Sequence, residues 1–84
     1  MTVDVKICGI KTPEAIAAAA QGGAAFLGFN FYSPSPRYIT PEHAAQLAPL
    51  VPIGIEKVAL FVDAKDGEME DTLRVFEPDR KSVV

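Results

Sequence analysis

The chain has a single cysteine, Cys8, and so cannot close a disulfide within itself. That fits a reducing compartment, and a cytoplasmic protein is expected. There is no basic excess: 11 Asp and Glu stand against 8 Lys and Arg, a net charge of −3. Nucleic-acid binders usually present a basic face, and membrane-surface proteins a polybasic cluster, so neither kind of partner is expected. No apolar run approaches the roughly 20 residues of a membrane span. Asp4 and Lys6 interrupt the first apolar stretch, which excludes a signal-peptide pattern. A phosphate-cradling glycine fingerprint is missing, because Gly22-Gly23 close a helix instead of opening one. No Cys, His or carboxylate stands at ligand spacing around His43, the one histidine; it reads as a surface residue, and no metal site is expected.

What remains is the composition of an ordinary small domain: 84 residues, 49% hydrophobic and 23% charged. A chain this short buries little more than roughly 60% of its unfolded surface, so its stability margin is thin. Its organisation shows in two near-copies of one pattern, "KTPEAIAAAAQGG" and "ITPEHAAQLAPL". In each, Thr (Thr12, Thr40) supplies a capping oxygen, and Pro takes the first helical position where a missing N–H costs nothing. Glu then favours the positive end of the helix dipole. The alanines from Ala15 onward extend the first helix, Gly22-Gly23 end it, and Pro49 interrupts the second. The acidic stretch "DGEMED" reads as a third helix start, explained by the dipole alone. Beyond it, Met69, Leu73 and Phe76 share one helical face.

Ahead of these helices run "VDVKIC", "AFLGFNFY" and "EKVALFV". The order β-α-β-α-β-α implies parallel strands joined by right-handed crossovers. Side-chain parity puts Val3, Val5 and Ile7 on one face of the first strand, opposite Asp4, Lys6 and Cys8. In the second, Leu27, Phe29 and Phe31 oppose Phe26, Gly28 and Asn30; in the third, Val58, Leu60 and Val62 oppose Ala59, Phe61 and Asp63. Each strand thus offers one wholly apolar face, and that face is expected beneath the helices. A doubly wound sheet would be apolar on both faces. A (β/α) barrel with a polar site at the strand C-termini fits better, although such a barrel takes about 250 residues and three strands cannot close one.

Cys8 ends the first strand at a βα turn, on the polar-leaning face. It is either a small buried hydrophobe or a thiolate poised to take a proton. Arg37 follows the second strand in the proline-stiffened loop "YSPSPRYITPE". It is either a solvated loop residue or a bidentate grip for a carboxylate or phosphate. Asp63 holds the matching place after the third strand and reads as a helix cap or turn residue.

Together, "VKICGIKTPE", "GAAFLGFNFYSPSPRYITPE" and "KVALFVDA" resemble the first three βα units of the phosphoribosylanthranilate isomerase family. The combination of "KICGI" with "SPSPRY" at this separation is specific. The resemblance implies a (β/α)₈ barrel without a cofactor, acting in tryptophan biosynthesis on a phosphosugar joined to anthranilate through an Amadori rearrangement. It implies that Cys8 is the general base and that Arg37 binds the substrate, through the anthranilate carboxylate. The family's general acid, an aspartate, and its phosphate loops match nothing in this chain.

Residues 1–79 are thus expected to form the N-terminal βαβαβα part of the barrel, with 80–84 a divergent tail. "RKSVV" falls where the family has an apolar fourth strand, so a truncated or frame-shifted chain, inactive alone, is expected. Two rivals stay open. One is another phosphosugar-binding barrel enzyme; the other is a non-catalytic α/β module that self-associates through exposed strand edges.

Overall fold

The computed structural model describes residues 4–83. Four strands form one all-parallel sheet in the sequential order β1-β2-β3-β4: β1 (Lys6–Cys8), β2 (Phe26–Asn30), β3 (Glu56–Phe61) and β4 (Arg80–Val83). They alternate with α1 (Pro13–Gln21), α2 (Pro41–Leu47), which runs into a 3₁₀ turn at Ala48–Leu50, and α3 (Asp66–Val75). A doubly wound sheet reverses its strand order at a switch point; this one steps outward in one direction, as a barrel wall does. No helix among the described residues is long and apolar enough to cross a membrane.

Both Thr-Pro-Glu copies start helices as their residues dictate. Thr12 Oγ1 accepts the Ala15 amide at 3.1 Å and Thr40 Oγ1 accepts the His43 amide at 3.2 Å. The α1 helix ends at Gly22, and Gly23 takes a left-handed φ of 81° that turns the chain back toward β2. Pro49 falls in the 3₁₀ turn that closes the short α2.

The core lies between the helices and one face of the sheet. Ile16 and Ala19 of α1 and Ala44 and Leu47 of α2 pack with Leu27, Phe29, Ala59 and Phe61, all at most 8% exposed. Met69 and Leu73 of α3 pack against this cluster, and Phe76, just beyond the helix, is 1% exposed. The Phe76 ring lies 4.9 Å from Phe29 and 5.4 Å from Phe31, in the tilted geometry aromatic pairs favour. Met69, Leu73 and Phe76 reach the core as expected, but Phe76 does so from extended backbone just past α3 and not from the face of the helix.

Two further expectations need correction. Register pairs Phe29 with Ala59 and Gly28 with Val58, and partners in a parallel ladder point to the same face. Ala59 and Phe61 thus lie under the helices, and Val58 and Leu60 face away, the reverse of the expected assignment. The β3 strand is apolar on both sides, so its own alternation carried no sign. For β1 and β2 the expectation holds, with Ile7 paired to Leu27 on the helical face; Val3 lies outside the described residues.

The second correction concerns the chain after Asp79. Residues 80–83, read as a divergent tail, add a fourth parallel strand to β3. Asp79 starts the ladder: its amide donates to the Lys57 carbonyl at 2.9 Å, and the Lys57 amide donates to Asp79 Oδ2 at 2.8 Å. Arg80 pairs with Glu56 and lies over the Phe26 ring, 5.5 Å from its centroid. Polar contacts along the strand's start thus replace the apolar pattern that usually announces a strand.

Candidate functional site

At the C-terminal end of the sheet, the turn after β1 and the loop after β2 meet. Cys8 is exposed there, on the face turned away from the helices, beside Gly28. Gly28 is small for a reason: a Cβ on it would stand 3.1 Å from Cys8 Sγ. The chain then turns sharply at Gly9, whose φ of 80° suits glycine. The Gly9 and Ile10 amides both donate to the Gly28 carbonyl, at 3.0 and 3.1 Å, which ties the end of β1 to its neighbour. Ile10 then plunges into the core, 1% exposed.

Arg37 reaches this turn from the other loop. Its aliphatic stem covers Gly9 so closely that a Cβ there would lie 2.9 Å from Arg37 Cδ. The structure therefore brings the two candidate site residues together: Arg37 packs on the residue that follows Cys8. Lys11 joins them, donating through Nζ to the Pro36 carbonyl at 3.4 Å.

Asn30, the last residue of β2, was not singled out by sequence reasoning. It is 9% exposed, and its Oδ1 accepts the Tyr32 amide at 2.8 Å. Its Nδ2 lies 3.5 Å from Ser35 Oγ, and Ser35 Oγ accepts the Arg37 amide at 3.1 Å. A signal was available: asparagine ahead of a Ser/Pro-rich loop commonly caps its own turn two residues on. Phe31 anchors the same loop from the helical side, stacked on Phe61 at 5.7 Å.

Asp63 takes a left-handed φ of 48° in the turn after β3, and the α3 N-cap is Lys65, so of its two expected roles Asp63 fills the turn. It borders a cleft of about 310 Å³ with Tyr32, Ser33, Val62 and Glu68, on the same rim but not touching Cys8 or Arg37. A larger hollow of about 450 Å³ lies beside Leu73, Glu77 and Arg80, at the start of β4 and away from the rim. The rim carries the thiol and the arginine; the larger hollow is lined by charged residues, Asp79 and Arg80 among them. His43 is exposed in the first turn of α2, as expected.

No family model matches the chain. Among curated proteins it is 48% identical over 79 residues to the N-(5'-phosphoribosyl)anthranilate isomerase of Parvibaculum lavamentivorans, covering 94% of this chain and 37% of that protein. The Brucella canis protein of the same name is 47% identical over the same span. Among solved structures, the phosphoribosyl anthranilate isomerase from Thermotoga maritima superimposes with a TM-score of 0.90 at 32% identity, covering 98% of this chain and 40% of that one. A phosphoribosyl anthranilate isomerase in complex with reduced 1-(o-carboxyphenylamino)-1-deoxyribulose 5-phosphate matches equally well. The chain therefore spans a little over a third of the length of the curated relatives it matches, and its fold is that of part of a (β/α)₈ barrel.

Proposed function

We propose that this chain, related to the phosphoribosylanthranilate isomerases in sequence and in fold, supplies that enzyme's proton-abstracting and carboxylate-holding rim. The substrate is an N-(5'-phosphoribosyl)anthranilate, and the reaction is an isomerisation in tryptophan biosynthesis, in a cytoplasmic setting. The ribose ring opens as its ring oxygen takes a proton, leaving a protonated imine at C1. The Cys8 thiolate then removes the C2 proton to give a neutral enaminol. This takes a proton at C1 and gives up its C2 hydroxyl proton to become the ketone of an aminodeoxyribulose phosphate. Atoms and electrons balance without a cofactor. Arg37 holds the anthranilate carboxylate through its planar pair of N–H donors.

The observation that carries this reading is the seating of Arg37 on Gly9, beside the only thiol in the chain. A base and an arginine whose stem packs on the adjoining residue, both at a barrel rim, suit a substrate with an acidic C–H near a carboxylate. The donor of the ring-opening proton matches no residue of this chain. The 84 residues alone are accordingly expected to give no turnover, as followed by loss of substrate fluorescence. Joined to the remaining segment of the Parvibaculum relative, the chain should turn over, and Cys8→Ser in that protein should lower kcat by on the order of 10²–10⁴-fold. Full activity in Cys8→Ser would overturn the thiol-base role.

The outer strands favour a second property. Ile7 of β1 and Val83 of β4 are 39% and 52% exposed on the two strands that border the sheet. Uncovered strand edges pair readily, so the chain should self-associate as its concentration rises in size-exclusion chromatography. A monomer at every concentration would count against this.

A further inference from the structure

We infer that Asn30 is a positioning residue for Arg37: from the end of β2 it anchors both ends of the loop that carries the arginine onto Gly9. The inference rests on the reading of Arg37 as the carboxylate-holding group. Asn30 is the one buried polar side chain among the described residues, and its polar atoms are directed at the loop. Its Oδ1 holds the first turn of the loop through the Tyr32 amide, and its backbone carbonyl holds the last through the Ile39 amide at 2.9 Å. Between them, Nδ2 reaches Ser35 Oγ, and the same oxygen takes the Arg37 amide. Arg37 therefore lies between two anchor points, Ser35 and Ile39, that both refer back to Asn30.

Packing does not require an amide at this place. Leucine has a similar volume, but it would leave the Tyr32 amide without its acceptor and the Ser35 hydroxyl without one of its two donors. The loop would keep its prolines and lose its register over Gly9. The path runs from Asn30 through Ser35 to Arg37 and ends against the turn after Cys8, so it couples the end of β2 to the end of β1. Asn30 acts on where the guanidinium stands and leaves in place the turn after Cys8, whose Gly9 and Ile10 amides donate to the Gly28 carbonyl.

The test is NMR on the 84-residue chain. The wild type should give a through-space proton contact between Arg37 Hδ and Gly9 Hα, as their packing requires. Asn30→Leu and Ser35→Ala should both abolish it and speed exchange of the Tyr32 or Arg37 amide by on the order of tenfold. Ser35→Thr, which keeps the hydroxyl, should preserve it. Exchange at Leu27 and Phe29 reports the core and should not change. A contact that survives in both disruptive variants would overturn the inference. So would its loss only in step with general loss of core protection, which would make Asn30 a stability residue. Sodium anthranilate separates the underlying reading: if it fails to shift the wild-type Arg37 Nε–H while the variants behave as stated, the carboxylate role falls and the positioning role stands.

Discussion

Gly9 is constrained twice over, by a left-handed φ and by the arginine stem lying on it. Gly9→Ala should cost about 1–2 kcal/mol for the backbone alone, read as a lower urea midpoint. Because Arg37 Cδ would have to move from 2.9 Å, the Gly9–Arg37 contact should weaken as well. An unchanged midpoint would show that the turn relaxes freely. At this scale the sequence was informative about Cys8 and Arg37, whose places follow from strand ends and a proline-rich loop. For Asn30 it carried the local signal for the Tyr32 amide bond to Oδ1 but not the contact with Ser35, which depends on how the loop doubles back. The helix caps at Thr12 and Thr40 were fully legible, since capping needs only the next three residues.

Among the elements, α3 is tied to the core by Met69 and Leu73 and, just past its end, by Phe76, which has Phe29 and Phe31 as ring neighbours. Removing it leaves a cavity as well as a lost transfer term, and Phe76→Ala should cost about 3–5 kcal/mol. In a small domain whose total stability is at best about 5–15 kcal/mol, that should erase most of the cooperative unfolding transition; a retained midpoint would refute it. The other joint, where β4 begins, is electrostatic. The Lys57 backbone N–H, followed by the Lys57 ammonium and Arg80, holds the Asp79 carboxyl below its ordinary value. Asp79 therefore stabilises the fold above the unfolded carboxylate value of 3.8, and the contribution fades as pH falls through the lower folded value. The wild type should lose more of its urea resistance between pH 7 and pH 3 than Asp79→Asn does. Equal losses would remove Asp79 from this role. Phe76 was legible as an apolar packing residue, whereas the start of β4 was not, because "RKSV" has no apolar alternation. Nor was the covered side of β3, since "VALF" is apolar on both faces and only the ladder decides it.

Over the whole molecule, helices cover one side of the sheet and leave the other to face the rim. The strands follow one another in sequence order. Parallel pairing was legible from the alternation of helices and strands; choosing the barrel over a doubly wound sheet also took the one-sided apolar faces of the strands. Protection from amide exchange should follow the same plan. Leu27, Phe29 and Ala59, fully buried in the central strands, should exchange slowest, while β1 and the end of β4 exchange much faster. Equal protection across all four strands would contradict it.

The exposed position of Cys8 has a practical consequence. With one thiol in the chain, a maleimide or disulfide reagent can attach only once, and always at the rim. A fluorophore placed there becomes a site-specific reporter of anything that approaches Arg37. Left in air, the only disulfide the protein can form with itself is a dimer joining two rims through Cys8, so a reductant is needed to keep them free.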